Sequence, residues 1–166
     1  MRRKRRLLGL LGAIIIAVAL AASRQGAGPP VPGGEAASVR IVDGDTLVVT
    51  GGVRVRLIGI DTPESVDPRR PVECFGKEAA AALAGLVPPG TAVRLEYDVE
   101  RADEFGRTLA YLYRVSDGLF VNAALVEQGY AQPATYPPNV AHAGQFAVLG
   151  ARARQSNAGL WNACPH

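Results

Sequence analysis

The sequence predicts an α+β domain, a small β-barrel with helices inserted between and after its strands. Three observations lead there. Five short runs rich in Val, Ile, Leu and Tyr are bounded by Gly, Pro and Asp turns. Three further segments carry helical composition and spacing. One stretch, Ile41 to Glu64, reads as two strands joined by Gly51-Gly52, with acids at its outer ends and arginines in its middle. At 166 residues the chain has room for one domain with a proper core, plus tails.

Residues 1–24 are read as lying outside that domain. MRRKRR is a basic n-region, Leu7 to Ala22 is an unbroken small-and-apolar run, and Ala19-Leu20-Ala21 supplies an A-x-A cleavage pattern. The segment is a signal peptide or a retained N-terminal membrane anchor, and the protein is expected to be exported in either case. Residues 25–37 form a Gly/Pro-rich linker, and the domain is expected to occupy 38–166. The first 24 residues hold six of the 18 Lys+Arg and none of the 15 Asp+Glu, so the remainder carries a net −3. A global basic field is thereby excluded, and an anionic ligand must be drawn in by a few placed arginines or a bound cation. Two cysteines, Cys74 and Cys164, suit an oxidising compartment, and export favours a disulfide between them over two separate buried thiols.

The elements come in order along the chain. Val39 to Asp43 is a strand broken or bulged at Gly44 and continued by Thr46 to Thr50, and Val53 to Ile60 returns beside it. Gly76 to Val87 is an alanine-rich helix with Leu83, Leu86 and Val87 as its buried stripe, stopped by Pro88-Pro89-Gly90. Thr91 to Tyr97 alternates as a strand, a charged loop comes next, and Thr108 to Val115 is the last strand. Phe120 to Gln128 and Ala141 to Ser156 are helices, and Gly159-Leu160-Trp161 tucks back as a hydrophobic lid.

A hairpin brings Asp45 and Asp61 together, and two hard carboxylates with backbone carbonyls and water suit Ca²⁺ or Mg²⁺. The absence of a His/Cys cluster argues against zinc. Each acid alone is an ordinary turn former; coincidence with arginine makes them a site. Arg56, among Val53, Val55, Leu57 and Ile58, belongs where a guanidinium meets an anion. A two-residue turn would set Leu47 opposite Arg56; a bulge would shift that parity. Arg107 ends the loop before the last strand and completes a two-arginine clamp for phosphate. Glu64 could orient or deprotonate a water. Tyr130 and Tyr136 flank a proline-rich loop and are candidate walls for a base to stack on. His142 is read as a surface or capping residue, and His166 is terminal.

These residues fall into an ordered set: I-V-D-G-D-T, R-L-I-G-I-D-T-P-E, F-G-K-E-A, E-F-G-R-T-L-A-Y-L-Y, V-N-A-A-L-V-E-Q-G-Y-A and G-L-W. Over about residues 38–162 it closely resembles the staphylococcal nuclease family. The resemblance implies a five-stranded OB-type barrel with three helices. It implies a Ca²⁺-dependent phosphodiesterase acting on DNA and RNA, single strands preferred, that leaves 3′-phosphate ends. By position, Asp45 and Asp61 resemble the calcium carboxylates, with the Thr62 carbonyl as a further ligand. Arg56 and Arg107 resemble the catalytic arginines, and Glu64 the acid that activates water. Glu104 stands where the type enzyme carries lysine. A monomer is expected, and removal of Arg56 is expected to cost rate with little effect on folding. Two other readings remain: a non-catalytic OB barrel that binds oligonucleotides or a protein at the cell surface, and a calcium-binding structural domain, which leaves both arginines without a role.

Overall fold

The computed structural model describes residues 31–69 and 71–165. The leader, residues 25–30 of the linker and His166 lie outside the described residues. Five strands close into a barrel: β1 (Val31–Asp43), β2 (Thr46–Val49), β3 (Val53–Leu57), β5 (Ala92–Tyr97) and β6 (Thr108–Arg114), in the order β1-β2-β3-β6-β5. A separate two-stranded ribbon pairs β4 (Ile60–Asp61) with β7 (Gln132–Pro133). The helices are α1 (Gly76–Leu86), α2 (Val121–Glu127), α3 (Ala143–Gln155) and the one-turn α4 (Leu160–Ala163).

Two boundaries differ from expectation. The strand begins at Val31 rather than Val39, because residues 31–37 pair with β5 instead of forming a linker. Composition hid this, since Pro and Gly sit there at irregularities between Pro32 and Glu35. One long strand can thus serve two neighbours, β5 along its first half and β2 along its second. The Asp43-to-Thr46 corner, expected as a bulge within one strand, is instead a reversal in which Asp43 pairs with Thr46 across Gly44-Asp45. A Cβ on Gly44 would sit 2.7 Å from both the Ala79 Cβ and the Thr62 Oγ1. Only glycine lets this corner press against α1 and the chain after β4.

The β2–β3 turn holds three residues, Thr50 to Gly52, with both glycines at positive φ. Thr46 therefore faces Arg56 and Leu47 faces Val55, one residue from the two-residue-turn register. Val55 and Leu57 point into the barrel and are fully buried, and Arg54 and Arg56 take the opposite face. Closure comes from parallel pairing of β3 with β6, Arg56 opposite Leu109. Leu47, Val49, Val55, Val93 and Leu112 fill the interior, Leu83 and Val87 bring α1 against it, and Tyr111, on the other face of β6, packs on Phe120 and Phe146.

Buried Asn122 on α2 locks the barrel to the chain after β3. Its Oδ1 accepts from the Leu112 amide and its Nδ2 donates to the Ile58 carbonyl, each at 2.9 Å. At the next residue Gly59 adopts φ +79°, and a side chain there would collide with the Phe146 ring of α3. The expected lid is present: Leu160 and Trp161 pack on Ala153 as a satellite core, with the Arg154 guanidinium 4.2 Å above the indole. Cys74 and Cys164 are bonded, tying the loop before α1 to the segment after α4.

Candidate active site

Asp45 sits in the β1–β2 corner and is nearly buried, and its contacts aim one carboxylate oxygen at the chain after β4. This Oδ2 accepts from the Thr62 amide at 3.1 Å and from the Thr62 hydroxyl at 3.0 Å. The same oxygen lies 2.9 Å from Nη1 of Arg56. Arg56 is held on four sides. Nη1 also donates to the carbonyls of Leu57 (2.8 Å) and Ile60 (3.1 Å), and Nη2 donates to Asp61 at 2.8 Å. Its side chain is only 14% exposed. The guanidinium thus lies between the two carboxylates, with one terminal nitrogen on each. Proximity held although the register differed, because corner and ribbon both fold towards the same end of β3.

Asp61 has its carboxyl pushed above the usual range, first by partial burial and further by the Asp45 charge, with Arg56 opposing. Two carboxylates that repel one another call for positive charge. Among the described residues no group of three or more His, Cys, Asp or Glu forms a metal cluster. Asp45 and Asp61 could offer hard carboxylate oxygens, of the kind calcium accepts when carbonyls and water complete its shell.

Glu64 comes directly after Pro63. Its Oε1 accepts from the amides of Val66 (2.7 Å) and Asp67 (3.1 Å). These bonds, Val66 first, hold its carboxyl below the usual range, so it is anionic at neutral pH. Asp43, on β1, was singled out only as part of a turn. Burial pushes it up, Ser65 donates to it at 2.5 Å, and its carboxyl meets that of Glu64. The Asp-Gly-Asp corner thus contributes both its acids, although the motif marked the first only as a turn former.

Arg107 enters from the other side of the barrel seam, just before β6. Asp103 fixes it, accepting from its amide at 2.9 Å and its Nε at 2.6 Å. Burial alone would raise the Asp103 pKa, but the Arg107 bonds outweigh it and hold it low. Sequence reasoning passed over Asp103 because it read as one more acid in a charged loop.

All six expected residues, Asp45, Arg56, Asp61, Thr62, Glu64 and Arg107, line one open cleft of about 540 Å³. Arg54 and Arg69, to which no role was given, line it too. The tyrosines divide. Tyr136, 68% exposed, stands with Phe105 and Leu109 in an adjoining cleft of about 490 Å³ that shares Arg56. Tyr130 lines neither; it stacks on Phe75, ring centres 5.5 Å apart, against the core. His142 precedes α3 but makes no side-chain cap. Its ring packs among Tyr111, Phe120 and Phe146, and Nε2 lies 3.4 Å from Glu96.

Comparison with known proteins adds a family. Residues 54–163 match the family described as Staphylococcal nuclease homologue, a span that holds Arg56, Asp61, Thr62, Glu64 and Arg107. The chain is 46% identical over 103 residues to a thermonuclease of Staphylococcus intermedius, covering 60% of each. It is 34% identical over 127 residues to a thermonuclease of Staphylococcus hyicus, covering 75% of this chain and 73% of that one. To the Endonuclease YncB of Bacillus subtilis it is 35% identical over 128 residues, 74% of this chain and 59% of the relative. The match thus spans about three fifths of the length of the first and third of these.

Proposed function

Because this chain belongs to the staphylococcal nuclease family, we propose that it is a calcium-dependent nuclease that hydrolyses phosphodiester bonds in DNA and RNA. The observation that carries the proposal is the convergence of two acids, a third acid beyond Pro63 and two arginines on one cleft. The relatives' names, thermonuclease and endonuclease, agree with it.

In this mechanism Asp45, Asp61 and the Thr62 carbonyl would hold the cation. Calcium, when bound, supplies neutralisation of phosphate charge and lowers the cost of deprotonating water. Glu64, anionic at neutral pH and restrained by two backbone amides, takes the proton of the attacking water. The new bond forms between that water's oxygen and phosphorus, the bond to the 5′-oxygen breaks, that oxygen takes a proton from solvent to leave as a hydroxyl, and a 3′-phosphate remains. Arg107, oriented by Asp103, meets the charge that grows on the phosphoryl oxygens. Arg56 meets it from the opposite wall, and does so while partly committed to Asp45 and Asp61. The net −3 beyond residue 24 suits this division, since local positive charge draws the substrate in. In this reading Tyr136 lies beside the unpaired bases of a single strand, and Tyr130 has no part. The basic, apolar leader and the Cys74–Cys164 bond support an exported protein.

The test is cleavage of heat-denatured DNA by purified protein, with calcium and then with a chelator. Activity that needs calcium, leaves 3′-phosphate ends and falls by about a hundredfold or more in Arg107→Ala is the expected result. Undiminished cutting under chelation, or by folded Arg107→Ala, would overturn this mechanism, and no cutting under any condition would return the chain to the non-catalytic binding alternative.

A further inference from the structure

The outer face of the barrel beside the cleft carries two arginines that the reaction leaves unused. Arg54 lies two residues from Arg56 on β3, on the same face, exposed, and lines the cleft. The register continues across the sheet: Arg54 pairs with Val48 of β2, and Val48 with Arg40 of β1, also exposed. Arg40 and Arg54 therefore stand in one row, two strand spacings apart, or roughly 9–10 Å. Arg54 stands about 6.7 Å along its strand from Arg56. Three other arginines, Arg94, Arg114 and Arg69, are matched by acids: Glu96, Asp117 and Asp67. Among the described residues Arg40 and Arg54 have no ion pair and no side-chain hydrogen bond. Two like charges in a row, unneutralised, in a domain whose net charge is negative, concentrate positive potential along a line leading away from the cleft.

We propose that Arg54 and Arg40 are phosphate subsites beyond the scissile position, so that the substrate is a single strand several nucleotides long, laid from the cleft across β3, β2 and β1. This deepens the nuclease reading and rests on it. Arg54 takes the phosphate next to the one held by Arg56 and Arg107, and Arg40 takes one further along. Contacts of this kind carry no base sequence information; they fix the strand's path and orientation. They also set a minimum length: a dinucleotide with its single phosphodiester reaches neither arginine.

The experiment compares Arg54→Gln, Arg40→Gln and, as a remote control on α3, Arg152→Gln. Affinity for a fluorescent single-stranded oligonucleotide of about 12 nucleotides, within the OB-fold site range, is measured under chelator across a salt series. Each of the first two substitutions is expected to lower the slope of log K against log salt by about 0.7, the value for one phosphate on a single strand. With calcium, kcat/KM on the oligonucleotide should fall several-fold through KM with kcat held. On a dinucleotide it should not change, and Arg152→Gln should change neither. An unchanged salt slope, an equal loss on the dinucleotide, or an equal loss in the control overturns the proposal. Wild-type protein that binds with the Arg54-dependent slope yet cleaves nothing sinks the enzyme reading and leaves the phosphate row standing.

Discussion

Replacing Arg56 with alanine is expected to destabilise the fold as well as stop catalysis, and the ion pair sets the size of the effect. Asp45 keeps only 7% of its side chain exposed, and Arg56 lies 2.9 Å away, itself 14% exposed. Removing one partner of a buried pair leaves the other charge without compensation, which costs about 3–5 kcal/mol when both are fully buried. The Asp61 end is 57% exposed and contributes little of this. A loss of about 2–4 kcal/mol results, a drop in Tm of roughly 8–16 °C for a domain of this size. Urea or thermal unfolding in chelator measures it. Two companions make the reasoning testable. Asp45→Asn added to Arg56→Ala removes the stranded charge, while Thr62 keeps an acceptor, and should recover part of the loss. Millimolar calcium should raise the midpoint of Arg56→Ala more than that of wild type, because the carboxylates are no longer shared with a guanidinium. An Arg56→Ala midpoint equal to wild type in chelator would falsify this account and restore the simpler expectation of lost rate without lost stability.

The same geometry sets three other outcomes. Glu64→Gln keeps an acceptor for the Val66 and Asp67 amides, so stability should hold within about 1 kcal/mol while kcat falls roughly 10²–10⁴-fold; a stable variant with wild-type kcat removes Glu64 from the reaction. Asp103→Asn should cost about 1–3 kcal/mol at neutral pH by weakening the bonds to Arg107. Because the Asp103 pKa is depressed in the folded state, its contribution is present above the unfolded carboxylate pKa and is lost as pH falls through the folded one. The gap between variant and wild type should therefore close in acid, and a gap that is constant with pH counts against the charge-based cause. Replacing Cys74 and Cys164 with serine opens a loop spanning a sequence separation of 90 and should lower stability by about 4–5 kcal/mol, read as a shift of the urea midpoint; no shift would mean that the bond constrains little of the unfolded chain.

The legible parts of this molecule were those written in local pattern. Alternation marked the barrel strands, the alanine run and Pro88-Pro89-Gly90 marked α1, and Asp45, Arg56, Asp61, Glu64 and Arg107 stood out as charges in company they need a reason to keep. The parts that stayed hidden depended on pairing at a distance. Residues 31–37 look like linker because their strand character comes from β5, far along the chain. The register of Arg56 turned on one residue in a turn, Thr50, that pattern alone does not assign. Asp103 and Asp43 take their meaning from Arg107 and Glu64, and neither pairing can be counted from spacing. Tyr130 looked like a free ring only because nothing in the sequence says that Phe75 lies against it.

The parallel seam between β3 and β6 has a consequence in time. Asp45, Arg56, Asp61 and Glu64 are neighbours within one short stretch and can gather early, as local contacts do. Arg107 joins them only when β6 docks beside β3, a long-range closure whose loop entropy must be met first. Until that docking the chain owns half a clamp. In the proposed mechanism the chain is thus inactive for as long as it is held unfolded, because the clamp is complete only once β6 seats beside β3.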